Sequence, residues 1–459
     1  MAMRHAVRAV GIRLTDPDGT PFGRRFSHLL ADSGWILAAT AAGGVFALLQ
    51  NAIVAHAFGV GPFATFVLVV GTVTVVNQLT SFRMNEFVVR YVSGAIALDR
   101  PSEGAAALKL ALVVEATASG AAFLLIVAAG RFVAVSVLDT PEQAPLVLTY
   151  GWVVLANLVS ETTVGAMQAF ELFRVQAVLS TISRALPALG TLVAVAAGGA
   201  LNDVLAAVVF ATAVGALLQL AVMIRYASRR LGPGWWRVSS RLVSGGRRKA
   251  ARFAVSTNVG STLSLVTKDA DVVWLGLLRP AAEAGFYRLA FQLAAVALMP
   301  VPPLAQRMYA EMSRAAAAER WTGLHQLLRR ATLVTGVYVV PVGIGLAALA
   351  PWIIRLLFGA EFSPATPALR ALLPGMAIAN VLVWTRPALL ALHEAEFTVR
   401  INLLLAAIKV AGLLTIVPLW GYVANATLVS VLYALGVGVC MIKVFRLVRR
   451  RLSSESPIV

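Results

Sequence analysis

Among the ionisable side chains inside long apolar runs, where hydrocarbon rather than water would surround them, eight could do chemistry. They are the cations Arg184, Lys268, Arg288 and Lys409, and the acids Glu115, Glu161, Asp269 and Asp271. A charge at the bilayer centre costs about 2.5–3.5 kcal/mol on insertion scales, so such residues face a bundle interior or a polar cavity. Guanidinium and ammonium groups around a cavity suit an anionic ligand, and the planar guanidinium fork matches phosphate oxygens. This makes Arg184, Lys409, Lys268 and Arg288 the candidate substrate-binding residues. The competing reading is structural: a carboxylate neutralises each cation and the pair only ties helices together. Lys268 and Asp271, three apart on one helix, are predicted to pair, whereas Asp269 and Asp271 fall on different sides of it.

The elements that must position these groups follow from hydropathy. Of 459 residues, 59% are hydrophobic and 13% charged, and mean hydropathy is +0.81. Runs of about 20 apolar residues have membrane-spanning length. Twelve are predicted: 34–55, 62–81, 107–129, 144–167, 175–197, 204–224, 253–278, 285–304, 331–354, 368–390, 399–419 and 424–444. The expectation is an all-α integral membrane protein with two six-helix bundles, 34–224 and 253–444. A tail (1–33), a basic linker (225–252) and a C-terminal tail (445–459) complete it. The stretch 1–33 lacks an apolar core followed by a cleavage site, so a cytoplasmic tail is expected there and not a signal peptide.

The formal net charge of +18 would suggest nucleic acid in a soluble chain, but arginines alternate from loop to loop in the positive-inside pattern. That places both termini in the cytoplasm of an inner-membrane protein and leaves no role for nucleic acid. The linker is the densest basic segment and holds Trp235 and Trp236; it is expected either to lie on the inner leaflet against anionic lipid or to be a plain connector. Residues 82–98 read as an amphipathic extension at the interface. Cys440 is the one cysteine, and His5, His28, His56, His325 and His393 are scattered, so disulfide, metal and cofactor are not expected.

The chain also repeats itself. MQAFELFRVQAVLSTISRALPAL and LHEAEFTVRINLLLAAIKVAGLL align with Glu171 on Glu396 and Arg184 on Lys409, at one common offset (396 − 171 = 409 − 184). MIRYASRR near Arg225 and MIKVFRLVRR near Phe445 end the two halves alike. Halves repeated in parallel imply a pseudo-twofold axis along the membrane normal, a site between them and motion of one against the other.

The segments KDADVVWLGLLRPAAEAGFYRLAFQLA, PWIIRLLFGAEFSPATPALRALLPGMAIAN and AHAFGVGPFATF resemble Wzx-type oligosaccharide flippases, polysaccharide-transport members of the superfamily that includes MurJ and the MATE exporters. The resemblance implies two V-shaped bundles around a central cavity. It further implies translocation of undecaprenyl-pyrophosphate-linked oligosaccharide to the outer leaflet for surface polysaccharide assembly. A polysaccharide polymerase and a chain-length regulator are candidate partners. Because the family often lets an ion gradient drive the cycle, the resemblance makes Glu115, Glu161, Asp269 and Asp271 the candidate ion-coupling residues. One departure stands out: residues 34–55 carry no charge, whereas MurJ-like lipid II flippases place an arginine there. The alternative is a MATE-type multidrug or cation antiporter, which predicts carboxylates dominating the N-terminal cavity. A polysaccharide polymerase or ligase would need a long external loop, and none is present.

Overall fold

In the computed structural model, backbone is described for residues 21–138, 140–239, 242, 270–299 and 301–455, and side chains for the same set outside 21–37, 302–307, 310, 395 and 453–455. The described residues form helices and their connections. In the first half these are α1 (Pro21–Phe58), α2 (Val60–Thr80), α3 (Met84–Ala97), α4 (Pro101–Ser136), α5 (Ala144–Ala156), α6 (Ser160–Ala169), α7 (Phe173–Ala196) and α8 (Leu201–Arg230). In the second they are α9 (Asp271–Leu278), α10 (Ala281–Leu298), α11 (Pro302–Ala317), α12 (Trp321–Phe358), α13 (Ala365–Val381), α14 (Thr385–Ala391), α15 (Ala395–Thr415) and α16 (Val417–Glu455).

Ten helical stretches among the described residues are long and apolar enough to cross a membrane. The seventh predicted run is described only over Asp271–Leu278, and the eighth is an 18-residue helix, Ala281–Leu298, outside those ten. That helix ends before Pro302, which opens α11 at its first turn, where a missing N–H costs nothing. Pro302 and Pro303 thus start the new helix.

Two spans are broken at matching places. The fourth stops at Ala156 and restarts at Ser160; the tenth stops at Val381 and restarts at Thr385. Polar side chains serve the exposed backbone groups at both breaks. Asn157 Nδ2 donates to the Val153 carbonyl at 3.2 Å and Ser160 Oγ to Asn157 Oδ1 at 3.1 Å. In the second half Thr335 Oγ1 donates to the Val381 carbonyl at 2.8 Å, and buried Trp384 donates its indole N–H to Thr332 Oγ1 at 2.8 Å. Irregular backbone at membrane depth persists only where protein groups satisfy it.

The repeat is visible in backbone conformation. Asp99 and Glu319 have φ of 54° and 52° before α4 and α12; Glu171 and His393 both have φ of 61° before α7 and α15. Residues other than glycine adopt this left-handed form rarely, so its return at the same two junctions marks corresponding parts of the halves.

One core cluster runs across both halves and includes Phe63, Leu68 and Val133 from the first with Tyr287, Phe358 and Leu369 from the second. A second sits at the linker end of the first half, where Met84, Phe87 and Val88 of α3 meet Leu108, Met167 and Trp235. The amphipathic helix expected at 82–98 thus turns its apolar face onto the bundle. Trp235 of the linker is buried in that cluster and Trp236 is half exposed.

At the opposite, distal face the halves touch. The Phe63 and Phe362 rings meet edge to face with centroids 5.4 Å apart, and Phe286 packs on Phe362 at 6.3 Å. The Glu361 carboxylate lies over Gly59, where a Cβ would come within 3.3 Å of it. Nearby, Arg279 donates to Glu283 at 2.7 Å and to the Pro418 carbonyl at 3.1 Å. By accepting from the Arg279 guanidinium, the Glu283 carboxylate raises the arginine's pKa further above its ordinary value.

Candidate functional site

Below that distal seal lies a cavity of about 270 Å³ on the seam between the halves. From α1 and α2 it takes Asn51, Gly71, Thr74 and Gln78; from α9 and α10 it takes Asp271, Tyr287 and Arg288. Each element contributes for a local reason. Asn51 and Gln292, both buried, hydrogen-bond across the seam, with the Asn51 amide donating. Gly71 lets α2 approach α9, since a Cβ there would meet Val272 at 3.3 Å. An apolar wall with a few convergent polar groups is the form of a small-ligand site.

The eight sequence-predicted residues separate into distinct settings. Arg288 lines the cavity, which is where a substrate-binding cation belongs. Lys409 does not line it. It is 2% exposed, and its Nζ lies 2.6 Å from Asp271 Oδ1, while Tyr287 donates its hydroxyl to Asp271 Oδ2 at 2.7 Å. Asp271, expected to pair with Lys268, pairs with Lys409 among the described residues. Lys268 and Asp269 lie outside the described residues.

Glu115 and Glu161 come together in the first half. Glu115 Oε1 and Oε2 accept the backbone N–H groups of Glu161 and Thr162 at 2.7 and 2.8 Å. That carboxylate caps the N-terminus of α6, where unpaired donors and the helix dipole favour an anion. Glu161 accepts from Ser81 Oγ at 2.8 Å, one residue beyond the end of α2. No group of three or more His, Cys, Asp or Glu residues with metal-binding geometry occurs among the described residues.

Arg184 is exposed on α7, and its side chain lies across α1. An ideal Cβ on Gly43 would fall 2.3 Å from Arg184 Cδ and 2.9 Å from one terminal guanidinium nitrogen. The adjacent Gly44 faces Met299 and Val296 of the second half, so this cation borders the seam.

The equivalence of Arg184 and Lys409 does not survive in the helix register. The left-handed turns before their helices match Glu171 with His393, not Glu171 with Glu396. The structural offset (393 − 171) is thus three short of the one that aligns the two cations (409 − 184). Their helices differ in length as well, 24 residues in α7 against 21 in α15. Arg184 stands twelve positions before Ala196 and Lys409 six before Thr415. Counted from the left-handed turns, Arg184 is 13 residues along and Lys409 is 16 (184 − 171 and 409 − 393), so Lys409 stands about 4.5 Å farther along its helix at 1.5 Å per residue. Uniformly apolar helices tolerate an ungapped alignment that is several residues out, because composition alone does not fix register.

Charge-based reading missed Asn51, Tyr287 and Gln292. Amides and a phenol inside apolar runs were the available signal, but a census of formal charges passes over them.

Comparison with known proteins now has a site to attach to. A family model described as polysaccharide biosynthesis protein matches residues 29–309. The chain belongs to that family. No curated protein matches it in sequence. Among solved structures, a multidrug resistance MATE family transporter of the MOP superfamily in an inward-facing conformation superposes with a TM-score of 0.76 at 11% identity, covering 90% of this chain and 96% of that one. The lipid II flippase MurJ, inward closed, gives 0.70 at 13% identity, covering 89% and 87%. A MOP superfamily transporter from Pyrococcus furiosus, noted for reversed polarity of its binding pocket, gives 0.61 at 12%, covering 92% and 94%. The member of the polysaccharide biosynthesis family described here thus has, over its described residues, the helical MOP fold shared with membrane transporters and flippases.

Proposed function

We propose that this protein flips undecaprenyl-pyrophosphate-linked oligosaccharide from the inner to the outer leaflet of the cytoplasmic membrane, for surface polysaccharide biosynthesis, by alternating access. The observation that carries this reading is the cation Arg288 in a cavity on the seam, with Arg184 bordering the same seam. Two guanidinium groups at a groove between halves suit a pyrophosphate, while the polyprenyl chain stays in lipid. A cavity of about 270 Å³ falls just short of usual small-ligand pockets, about 300–1,000 Å³. It holds a headgroup fragment only, so transport requires the halves to part. Inward- and outward-open states then present the cations to each leaflet in turn. Both termini lie in the cytoplasm on this reading, and a polymerase and a chain-length regulator take the product onward. Glu115 and Glu161, with Asp269 and Asp271, remain the candidates for coupling to an ion gradient.

A MATE-type antiporter is the second reading, favoured by the Glu115–Glu161 pair in the first half and by the superposition on a multidrug transporter. Deleting the gene separates them. The flippase reading expects lipid-linked oligosaccharide to accumulate in the inner leaflet and surface polysaccharide to fall. Altered drug susceptibility with undisturbed lipid-linked sugars would instead establish the antiporter.

A further inference from the structure

Helices α1 and α7 run side by side in a fixed register. Gln50 Nε2 donates to Thr191 Oγ1 at 3.1 Å, and two turns earlier on both helices Arg184 lies on Gly43. Both contacts keep the same sequence offset (191 − 50 = 184 − 43). The second half pairs its corresponding helices in the same way, through Asp271 of α9 and Lys409 of α15. The two contacts differ in one chemical respect. The α15 cation meets a carboxylate, whereas the α7 cation meets bare backbone, and no carboxylate pairs with Arg184 among the described residues.

We propose that Gly43 is a positioning residue for transport: its missing side chain seats the Arg184 guanidinium on α1 beside the seam, charged and with no carboxylate partner among the described residues. This rests on the flippase reading and adds a residue to it. The reasoning is steric and electrostatic. Any Cβ at position 43 falls 2.3 Å from Arg184 Cδ, so the arginine must swing away. The obstacle is a flexible side chain, not backbone, so the helices need not part. Gly44, about 100° farther round α1, packs on Met299 beyond the end of α10, which keeps the seated cation at the line where the halves meet. A carboxylate at 43 would reproduce the neutralised arrangement of the second half.

The experiment measures translocation of lipid-linked oligosaccharide in membrane vesicles, with melting temperature in detergent, for five variants. Gly43→Asp and Gly43→Asn are matched in size and differ in charge. The aspartate is expected to lower transport at least tenfold more than the asparagine at similar melting temperatures. Arg184→Ala is expected to abolish transport, Arg184→Lys to retain part of it, and Arg184→Ala with Gly43→Arg to restore at least a third by returning the cation from the other helix. Wild-type transport by both position-43 variants, with no rescue by the relocated arginine, would overturn the role of Gly43 while leaving an inactive Arg184→Ala to support the flippase site. Equal losses in the two would overturn the electrostatic part and keep the steric seat. Wild-type transport by Arg184→Ala would remove Arg184 from the flippase reading itself.

Discussion

Lys409 Nζ and Asp271 Oδ1 lie 2.6 Å apart with both side chains all but fully buried, so this deeply placed cation is already neutralised. Its ammonium reaches across from α15 to the first residue of α9, and the Tyr287 hydroxyl holds the remaining carboxylate oxygen from α10. Three helices of the second half are tied at one point. Removing one partner of such a pair strands a charge in low dielectric and costs about 3–5 kcal/mol, while removing both together is close to neutral. Lys409→Met and Asp271→Leu should each lower the melting temperature of the purified protein strongly, and the double variant should recover most of the loss. Single variants melting at the wild-type temperature would show that the pair carries no stability.

Arg288 occupies the cavity with Asp271 and Tyr287, and its role should depend on geometry as well as charge. Arg288→Ala is expected to cut translocation at least tenfold, equivalent to about 1.4 kcal/mol, without a matching drop in melting temperature. Arg288→Lys should fall between, because an ammonium keeps the charge but loses the fork that grips two phosphate oxygens. Indistinguishable lysine and alanine variants would argue against phosphate recognition at this residue.

Glu115 accepts two backbone N–H bonds at the start of α6. Replacing the carboxylate by an amide leaves one acceptor facing two donors, and loss of a cap costs about 0.5–2 kcal/mol. Glu115→Gln should therefore melt a few degrees lower. If Glu115 also couples an ion, transport by the variant should no longer respond to collapse of the membrane ion gradient. Unchanged sensitivity to an ionophore would leave the residue with capping alone.

Gly375 marks a very tight helix crossing in the second half. A Cβ there would fall 2.1 Å from the Ser430 carbonyl oxygen and 2.4 Å from its Cα, and Ser430 Oγ accepts the Gly375 N–H at 2.7 Å. Backbone obstacles cannot rotate away, so Gly375→Ala must push α13 off α16, at about 1–3 kcal/mol or more. Gly438 on α16 has nothing within 4 Å of its ideal Cβ, and alanine there should be neutral or slightly stabilising. Thermal unfolding of the two variants in parallel checks the contrast.

Much of the molecule was legible in the sequence because its physical causes are local or additive. Apolar run length sets helix length in a bilayer, and so the spans other than the seventh and eighth were found nearly in place. The amphipathic stretch at 82–98 also announced itself, since periodicity acts on its own neighbourhood. The presence of a duplication was readable too, although its offset came from matching charges in helices of unequal length.

What only the tertiary structure decided is which charges meet. Asp271 pairs with Lys409 from a distant helix, a contact that no helix-local rule reaches. Arg184 and Lys409 read as twins in sequence. One lies exposed on a glycine and the other is buried against a carboxylate, since burial and pairing depend on the facing helix and not on the run that carries the charge. The sequence by itself determined a membrane bundle with costly internal charges; packing determined that Lys409 joins helices within one half while Arg184 and Arg288 stand at the seam between the two.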